Sequence, residues 1–260
     1  PSSFLDLGGK SYGDVPLFIT QATTFSLSAV DDQAVILDSV GVGGILTFVS
    51  LDSAAYAAAP ISTFSFAPGA HSLAYYSVDW LGQSESSRTL LVFVDTAAPV
   101  TQLSFVGGAQ FFRAQGSVQF VSGQTAFAFP AGYPEIGGNA SGVQETFVST
   151  GAAFVAYTST LPARAVQGDR TFLFASIDNV GNEEFPTQVQ VSVDTTAPVS
   201  QLVLAGAAAT APDCRLFVRS GTTLAFTAAD VSFLRSELKD VLFAVDGAEL
   251  SPFVAGFSLT

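Results

Sequence analysis

Val94-Asp95-Thr96-Ala97-Ala98-Pro99-Val100 returns as Val193-Asp194-Thr195-Thr196-Ala197-Pro198-Val199, at an offset of 194 − 95 = 99 residues. A match at one fixed offset marks an internal repeat, which sets the frame for the rest of the chain. A second pair keeps the same offset (178 − 79 = 99): Tyr76-Ser77-Val78-Asp79-Trp80-Leu81-Gly82-Gln83 and Ala175-Ser176-Ile177-Asp178-Asn179-Val180-Gly181-Asn182. Each is a strand running into a turn whose Asp and Gly permit the required backbone angles. Each is followed by an alternating strand, 89–95 and 187–194, so each pair predicts a β-hairpin with a longer loop.

A third unit occurs three times, as Phe18-Ile19-Thr20 to Leu27, Phe120-Val121-Ser122 to Phe129, and Phe217-Val218-Arg219 to Phe226. Each reads as a short turn leading into a strand of alternating Phe or Leu. A fourth, weaker unit runs Thr47-Phe48-Val49-Ser50, Thr146-Phe147-Val148-Ser149 and, loosely, Leu242-Phe243-Ala244-Val245. Together these predict segments 1–98, 99–197 and 198–260, with Pro99 and Pro198 at the junctions. About seven short strands per full segment, with a turn signal every dozen or so residues, is the profile of an immunoglobulin-like β-sandwich. The fold class expected is therefore all-β: tandem sandwiches whose linkers of a few residues stack them as an elongated rod. Only Val231–Lys239 suggests a turn of helix.

Tyr76-Ser77-Val78-Asp79 with its Gly turn, then a strand into Val-Asp-Thr-x-Ala-Pro, resembles the tandem Ig-like repeats of bacterial surface proteins. Ser176-Ile177-Asp178-Asn179-Val180-Gly181-Asn182-Glu183 is closer still, and the resemblance covers all three segments. It implies stalks, adhesins, filament subunits or spacer modules of secreted enzymes. Trp80-Leu81 departs from it, since the family favours Asn and a small residue there.

Composition agrees with strand: the 260 residues are 48% hydrophobic, with 24 Phe and no Met. The net charge is −13 and the lysines are Lys10 and Lys239 alone, a field that repels nucleic acid. Such a charge suits solubility outside a cell and attracts cations. One cysteine, Cys214, forms no intramolecular disulfide. Pro1 and the lack of Met read as an excised or processed piece, with any signal peptide out of view. The most apolar stretch, Val40–Leu51, is too short and Gly-rich to span a bilayer as a helix.

The third segment stops one residue after Leu259, the counterpart of Phe66, so it lacks the last hairpin of the other two. That predicts unpaired backbone and an open core, closed either by continuing chain or by strands from a neighbouring subunit. In the last strands, Leu90, Val92 and Val94 match Val189, Val191 and Val193 and are expected to point inward. Leu91 and Phe93 are then expected to point outward, with Leu73 and Tyr75 beside them and Phe172 and Phe174 in the corresponding places. An outward apolar patch predicts lateral self-association or contact with neighbouring surface-protein subunits.

Candidate chemistry is sparse. His71 is the sole histidine and reads as a surface residue; Cys214 has no second histidine to activate it. Asp31-Asp32, Asp95, Asp178 with Asn182, Asp194 and Asp230 have the oxygens that Ca²⁺ requires, without EF-hand spacing. The Asp of Val-Asp-Thr equally caps a turn by accepting backbone N–H groups. Asn139-Ala140-Ser141 is a glycosylation sequon, meaningful only in a eukaryotic secretory route. No phosphate loop or zinc spacing occurs, and no cofactor beyond a possible Ca²⁺ is expected. Three roles follow: a non-catalytic extracellular stalk, fibre or sheath; an adhesin, favoured by exposed aromatics around Trp80, Tyr133 and Tyr157; or a spacer from a larger secreted enzyme.

Overall fold

The structure is a computed structural model of the chain and describes residues 1–31, 45–59, 63–114, 116–133, 140–164, 166–231 and 236–258. Every regular element among them is a β-strand. The helical turn expected over Val231–Lys239 has residues 232–235 outside the described residues, and its described flanks are irregular. No helix among the described residues is long and apolar enough to cross a membrane.

In the first segment a six-stranded sheet runs in the order Ser11–Tyr12, Leu17–Ile19, Arg88–Val94, Gly69–Val78, Leu46–Leu51, Ala57–Ala58. Ser2–Gly8 and Thr24–Val30 form a second, antiparallel sheet. One core draws on both: Ile19, Leu73, Val92 and Val94 from the first meet Phe25 from the second. Phe25 packs edge-on against Phe66 with ring centroids 5.1 Å apart. Two sheets sharing one apolar core is an arrangement consistent with a β-sandwich. Leu17–Ile19 lies parallel to Arg88–Val94, while Gly69–Val78 and Arg88–Val94 form the expected antiparallel hairpin.

The middle segment repeats this order as Gln110–Arg113, Val118–Ser122, Thr187–Asp194, Gly168–Asp178, Val143–Ser149, Val155–Ala156. Val118–Ser122 is again parallel to the last strand. A three-stranded sheet combines Ser104–Val106, Ala126–Ala128 and Leu161–Pro162. Val100–Thr101 and Val199–Ala205 begin directly after Pro99 and Pro198. Prolines suit this place, because they lack the N–H that a ladder uses.

In the third segment Val199–Ala205, Thr223–Ala229 and Phe257–Ser258 form a sheet. Phe226, Phe243, Phe253 and Phe257 cluster there, Phe243 stacking on Phe257 at 5.1 Å. Among its described residues no apolar side chain is fully buried. Among the described residues of 198–260 no pair of strands matches the hairpins at 69–94 and 168–194.

The chain divides into two compact units. One holds Pro1–Leu103, Phe129–Thr158 and Leu173–Gln188; the other holds Ser104–Ala128, Ser159–Phe172 and Val189–Thr260. The middle segment of the repeat thus contributes to both.

The outward patch requires correction. Leu73 lies opposite Leu90 and His71 opposite Val92. Directly opposed residues of an antiparallel pair point to the same side. Odd residues of Gly69–Val78 therefore share the inner face with even residues of Arg88–Val94. Leu73 and Tyr75 are buried in the core, as are Phe172 and Phe174. Leu91 faces Ser72 instead and is exposed. Phe93, opposite Ala70, is half-buried against Phe18 at 5.8 Å.

Candidate functional site

The repeated Val-Asp-Thr motif does the same work twice. The parallel strand pair ends with the Asp95 amide donating to the Ile19 carbonyl at 2.9 Å. Asp95 Oδ1 then accepts the Ala97 amide at 3.1 Å, which caps the turn into Pro99. Its other oxygen, Oδ2, accepts the amide of Ser141, 46 residues onward, at 2.7 Å. Asp194 repeats this: Oδ1 accepts Thr196 N–H at 3.0 Å and Oδ2 accepts Ser236 N–H at 2.9 Å. Asp230 also accepts the Ser236 amide, at 3.1 Å. Asp95 and Asp194 are both buried. Each is a turn cap and a grip on the following segment, and charge-assisted bonds of this kind are about twice as strong as neutral ones.

The turn after Ile177 completes the first junction. Asp178, fully buried, accepts the amides of Val180, Gly181 and Asn182 at 3.0, 2.6 and 2.7 Å on Oδ1. Asn182 Nδ2 donates to Asp178 Oδ2 at 2.7 Å and to the Asp95 carbonyl at 3.1 Å. Asn179 Nδ2 donates to the carbonyls of Ser141 and Gly142 at 2.8 and 3.1 Å. Gly181 is at φ +95, a conformation that favours glycine, and a Cβ there would stand 2.3 Å from Nζ at the far end of the Lys10 side chain, which would have to move aside. The Tyr133 hydroxyl and Ser141 Oγ are buried here, beside Asp178 and Asp95, without a well-formed hydrogen bond. Burial, then the charge of Asp178, pushes the Tyr133 hydroxyl well above its ordinary range, so it stays protonated.

For calcium, the structure brings Asp95, Asp178 and Asn182 together. Asp194 is gathered separately with Asp230, and Asp31 lies 3.5 Å from the Pro1 amine. Asp32 falls outside the described residues. The oxygens of Asp95, Asp178 and Asp194 face N–H donors, which a cation would have to displace. Among the described residues no three or more His, Cys, Asp or Glu are placed to hold a metal ion. The donor set fits turn caps rather than a Ca²⁺ cage, which wants six or more oxygens.

A second repeated device escaped the sequence reading. In the first segment Glu85 accepts the amides of Ser3 and Ser77 at 3.2 and 2.9 Å, as well as the Ser3 hydroxyl. Ser77 Oγ meets Ser3 Oγ at 2.9 Å and Thr47 Oγ1 at 2.8 Å. In the middle segment Glu184 accepts Thr101 N–H at 2.9 Å, Thr101 Oγ1–H at 2.5 Å and Ser176 N–H at 3.0 Å. Ser176 Oγ meets Thr101 Oγ1 at 2.6 Å and Thr146 Oγ1 at 2.8 Å. One carboxylate thus clasps the opening strand of its segment to the hairpin. The signal was present, since Glu85 and Glu184 also differ by 99 (184 − 85), as do Ser77 with Ser176 and Thr47 with Thr146.

His71 is partly exposed. Its Nδ1 is 2.8 Å from Asp52 Oδ2 and its Nε2 is 2.8 Å from the Ala67 carbonyl. Two acceptors call for two N–H donors, which only the imidazolium has. The Asp52 hydrogen bond accordingly raises its pKa. No hydroxyl or thiol is held by the ring, whose nitrogens are both taken by these acceptors. Cys214 is exposed. Trp80 is 71% exposed, whereas Tyr133 is half-buried and Tyr157 packs edge-on against Phe129 at 5.4 Å. The sequon residue Asn139 lies outside the described residues.

No protein-family model matches the chain. A stretch of 74 residues, 28% of the chain, is 38% identical to the copper-transporting ATPase HMA4 of Oryza sativa subsp. japonica. It spans 8% of that protein's length. Among solved structures, SGBP-B of the Bacteroides ovatus mixed-linkage glucan utilization locus, held in complex with a mixed-linkage heptasaccharide, is similar over 81% of this chain and 74% of that one. At 10% identity and a TM-score of 0.22, that similarity transfers neither fold nor ligand.

Proposed function

We propose that residues 1–98, 99–197 and 198–260 are tandem immunoglobulin-like sandwiches, stacked as an elongated rod, in a non-catalytic structural protein outside a bacterial cell. Its role is that of a stalk, fibre or sheath that associates with copies of itself or with neighbouring surface subunits. The observation that carries this reading is the repeated carboxylate grip: Asp95 on Ser141 and Asp194 on Ser236. A flexible string of modules has no use for a buried charge that fastens each segment to the next. A stiff one does. The parallel pairing of an early strand with the last strand in both segments supports the immunoglobulin-like assignment. The adhesin reading draws on one observation, the exposed Trp80, and loses support from the packed Tyr133 and Tyr157.

Amide hydrogen exchange tests the grip. In Asp95→Ala the Ser141 amide loses its charged acceptor, a bond worth about 1.5–3 kcal/mol. Its protection is expected to fall by about tenfold or more, while the Ser236 amide keeps its protection. Unchanged protection at Ser141 contradicts a junction held by Asp95.

A further inference from the structure

Both long hairpins open on a glycine of positive φ, Gly69 at +121 and Gly168 at +145, and the two correspond across the offset of 99 residues (168 − 69). Each turn brings the carbonyl two residues before the glycine to the side chain two residues after it. In the middle segment the Val166 carbonyl accepts Arg170 Nη2–H at 3.0 Å. In the first segment the Ala67 carbonyl stands 2.8 Å from His71 Nε2. Arg170 and His71 also differ by 99 (170 − 71), as do Val166 and Ala67 (166 − 67). One position of the repeat thus carries a permanent cation in one copy and a titrating group in the other.

The first segment adds a carboxylate that the middle one lacks, since Gly151 stands in the place of Asp52 (151 − 52 = 99). Asp52 Oδ2 is 2.8 Å from His71 Nδ1, and its Oδ1 accepts the Ser72 amide at 2.9 Å. The His71 side chain is 15% exposed, and its ring stacks on the core residue Phe66 with centroids 4.9 Å apart. Among the described residues Asp52 is the charged group that faces the ring. Gly69–Val78 itself carries no other charge, and neither does Leu46–Leu51 or the stretch 64–69. Val92 lies opposite His71, and Leu17 lies beside Val92. Arg88 stands opposite Tyr75, four residues along the strand, and Asp95 has its oxygens on the amides of Ala97 and Ser141.

We propose that His71 is a pH-sensitive clip: as the imidazolium it fastens the turn at Asp52 and the connection at Ala67 to the sheet, and loss of its proton releases the Ala67 end. A neutral ring has a single N–H. That N–H stays with Asp52, because the bond to a charged acceptor is the stronger one. Nε2 is then a lone pair facing the lone pairs of the Ala67 carbonyl, and the contact no longer holds. Ala67 directly follows Phe66, so the released connection is the one that carries Phe66 into the core. Arg170 keeps its charge throughout, so the middle segment keeps the corresponding tie while the first one loosens. The Asp52 hydrogen bond raises the pKa of His71 above its ordinary 6.5. Folding therefore favours the charged ring: the clip is complete below 6.5 and is lost as the pH rises through the higher midpoint of the folded state.

A pH titration of the full chain followed by NMR tests the clip, because the sole histidine gives a single imidazole signal. The ring is expected to titrate with a midpoint above 6.5, and the amides of Ala67 and Gly69 are expected to shift with that same midpoint. Each unit of elevation corresponds to about a tenfold loss of the fastened over the released form as the ring gives up its proton. His71→Arg copies the middle segment and leaves every other titrating group in place, so the shifts at Ala67 and Gly69 are expected to vanish. Asp52→Asn changes an exposed side chain at a φ of +52 that asparagine tolerates, and is expected to lower the midpoint of the ring in a folded chain. A wild-type midpoint at or below 6.5 overturns the clip. So does a titration of the ring that the Ala67 and Gly69 amides do not follow, or one that persists at those amides in His71→Arg. A midpoint that Asp52→Asn leaves unchanged overturns the part given to Asp52.

Discussion

Phe174→Ala is expected to lower stability by about 3–5 kcal/mol, the range for emptying an aromatic site in a core that relaxes only in part. Phe174 is 1% exposed, lies opposite Val148, and packs on Phe129 with ring centroids 5.2 Å apart. Leu91→Ala, by contrast, removes a side chain that faces solvent and is expected to change stability by about 0.5 kcal/mol or less. Urea denaturation followed by circular dichroism measures both. The two variants check the faces of two strands, Gly168–Asp178 and Arg88–Val94, one by one. A small effect at Phe174 contradicts its inward face, and a large one at Leu91 contradicts its outward face.

Glu184→Ala is expected to destabilise the middle segment by about 3 kcal/mol, since hydrogen bonds to a charged group are worth about 1.5–3 kcal/mol each and are not additive. The change strands three donors at once: the Thr101 amide, the Thr101 hydroxyl and the Ser176 amide. Ser176 and Thr101 are themselves buried, so water does not replace the lost acceptor freely. Glu184→Gln keeps one acceptor oxygen and gives up the charge, so a smaller loss is expected. Glu85→Ala should do the same to the first segment, where Glu85 holds Ser3 and Ser77. A loss below about 0.5 kcal/mol for Glu184→Ala would reduce the clasp to a bystander of the packing.

What the sequence reveals and what it hides divide along the line between local and non-local interactions. The hairpins at Asp79 and Asp178 are legible because the turn chemistry is contained within five residues. The Asp side chain binds the amides two to four positions ahead, and Gly82 and Gly181 supply the positive φ. The strands are legible because alternation needs no partner. The facing of Leu73, Tyr75, Phe172 and Phe174 is not legible, because both sides of those strands carry apolar residues. Only the register with the next strand, which depends on the length and shape of the intervening loop, decides the face. The same limit hides the second oxygen of Asp95: its partner is 46 residues away, while the turn-capping oxygen is bound two residues away. The calcium and turn-cap readings of that residue look alike in sequence and separate only when the donors around the carboxylate are located. The clasp lay in the offset of 99 itself, at Glu85 and Glu184, but a glutamate beside a turn looks like an ordinary solvated charge until Ser3 and Thr101 arrive from the far end of their segments.

Small-angle X-ray scattering of the full chain measures the central claim, that the segments are locked into a rod. A compact chain of this length has a radius of gyration of about 18 Å. The account predicts a value well above that, together with the scattering profile of an elongated particle. A radius of gyration near about 18 Å for the monomer would contradict end-to-end stacking.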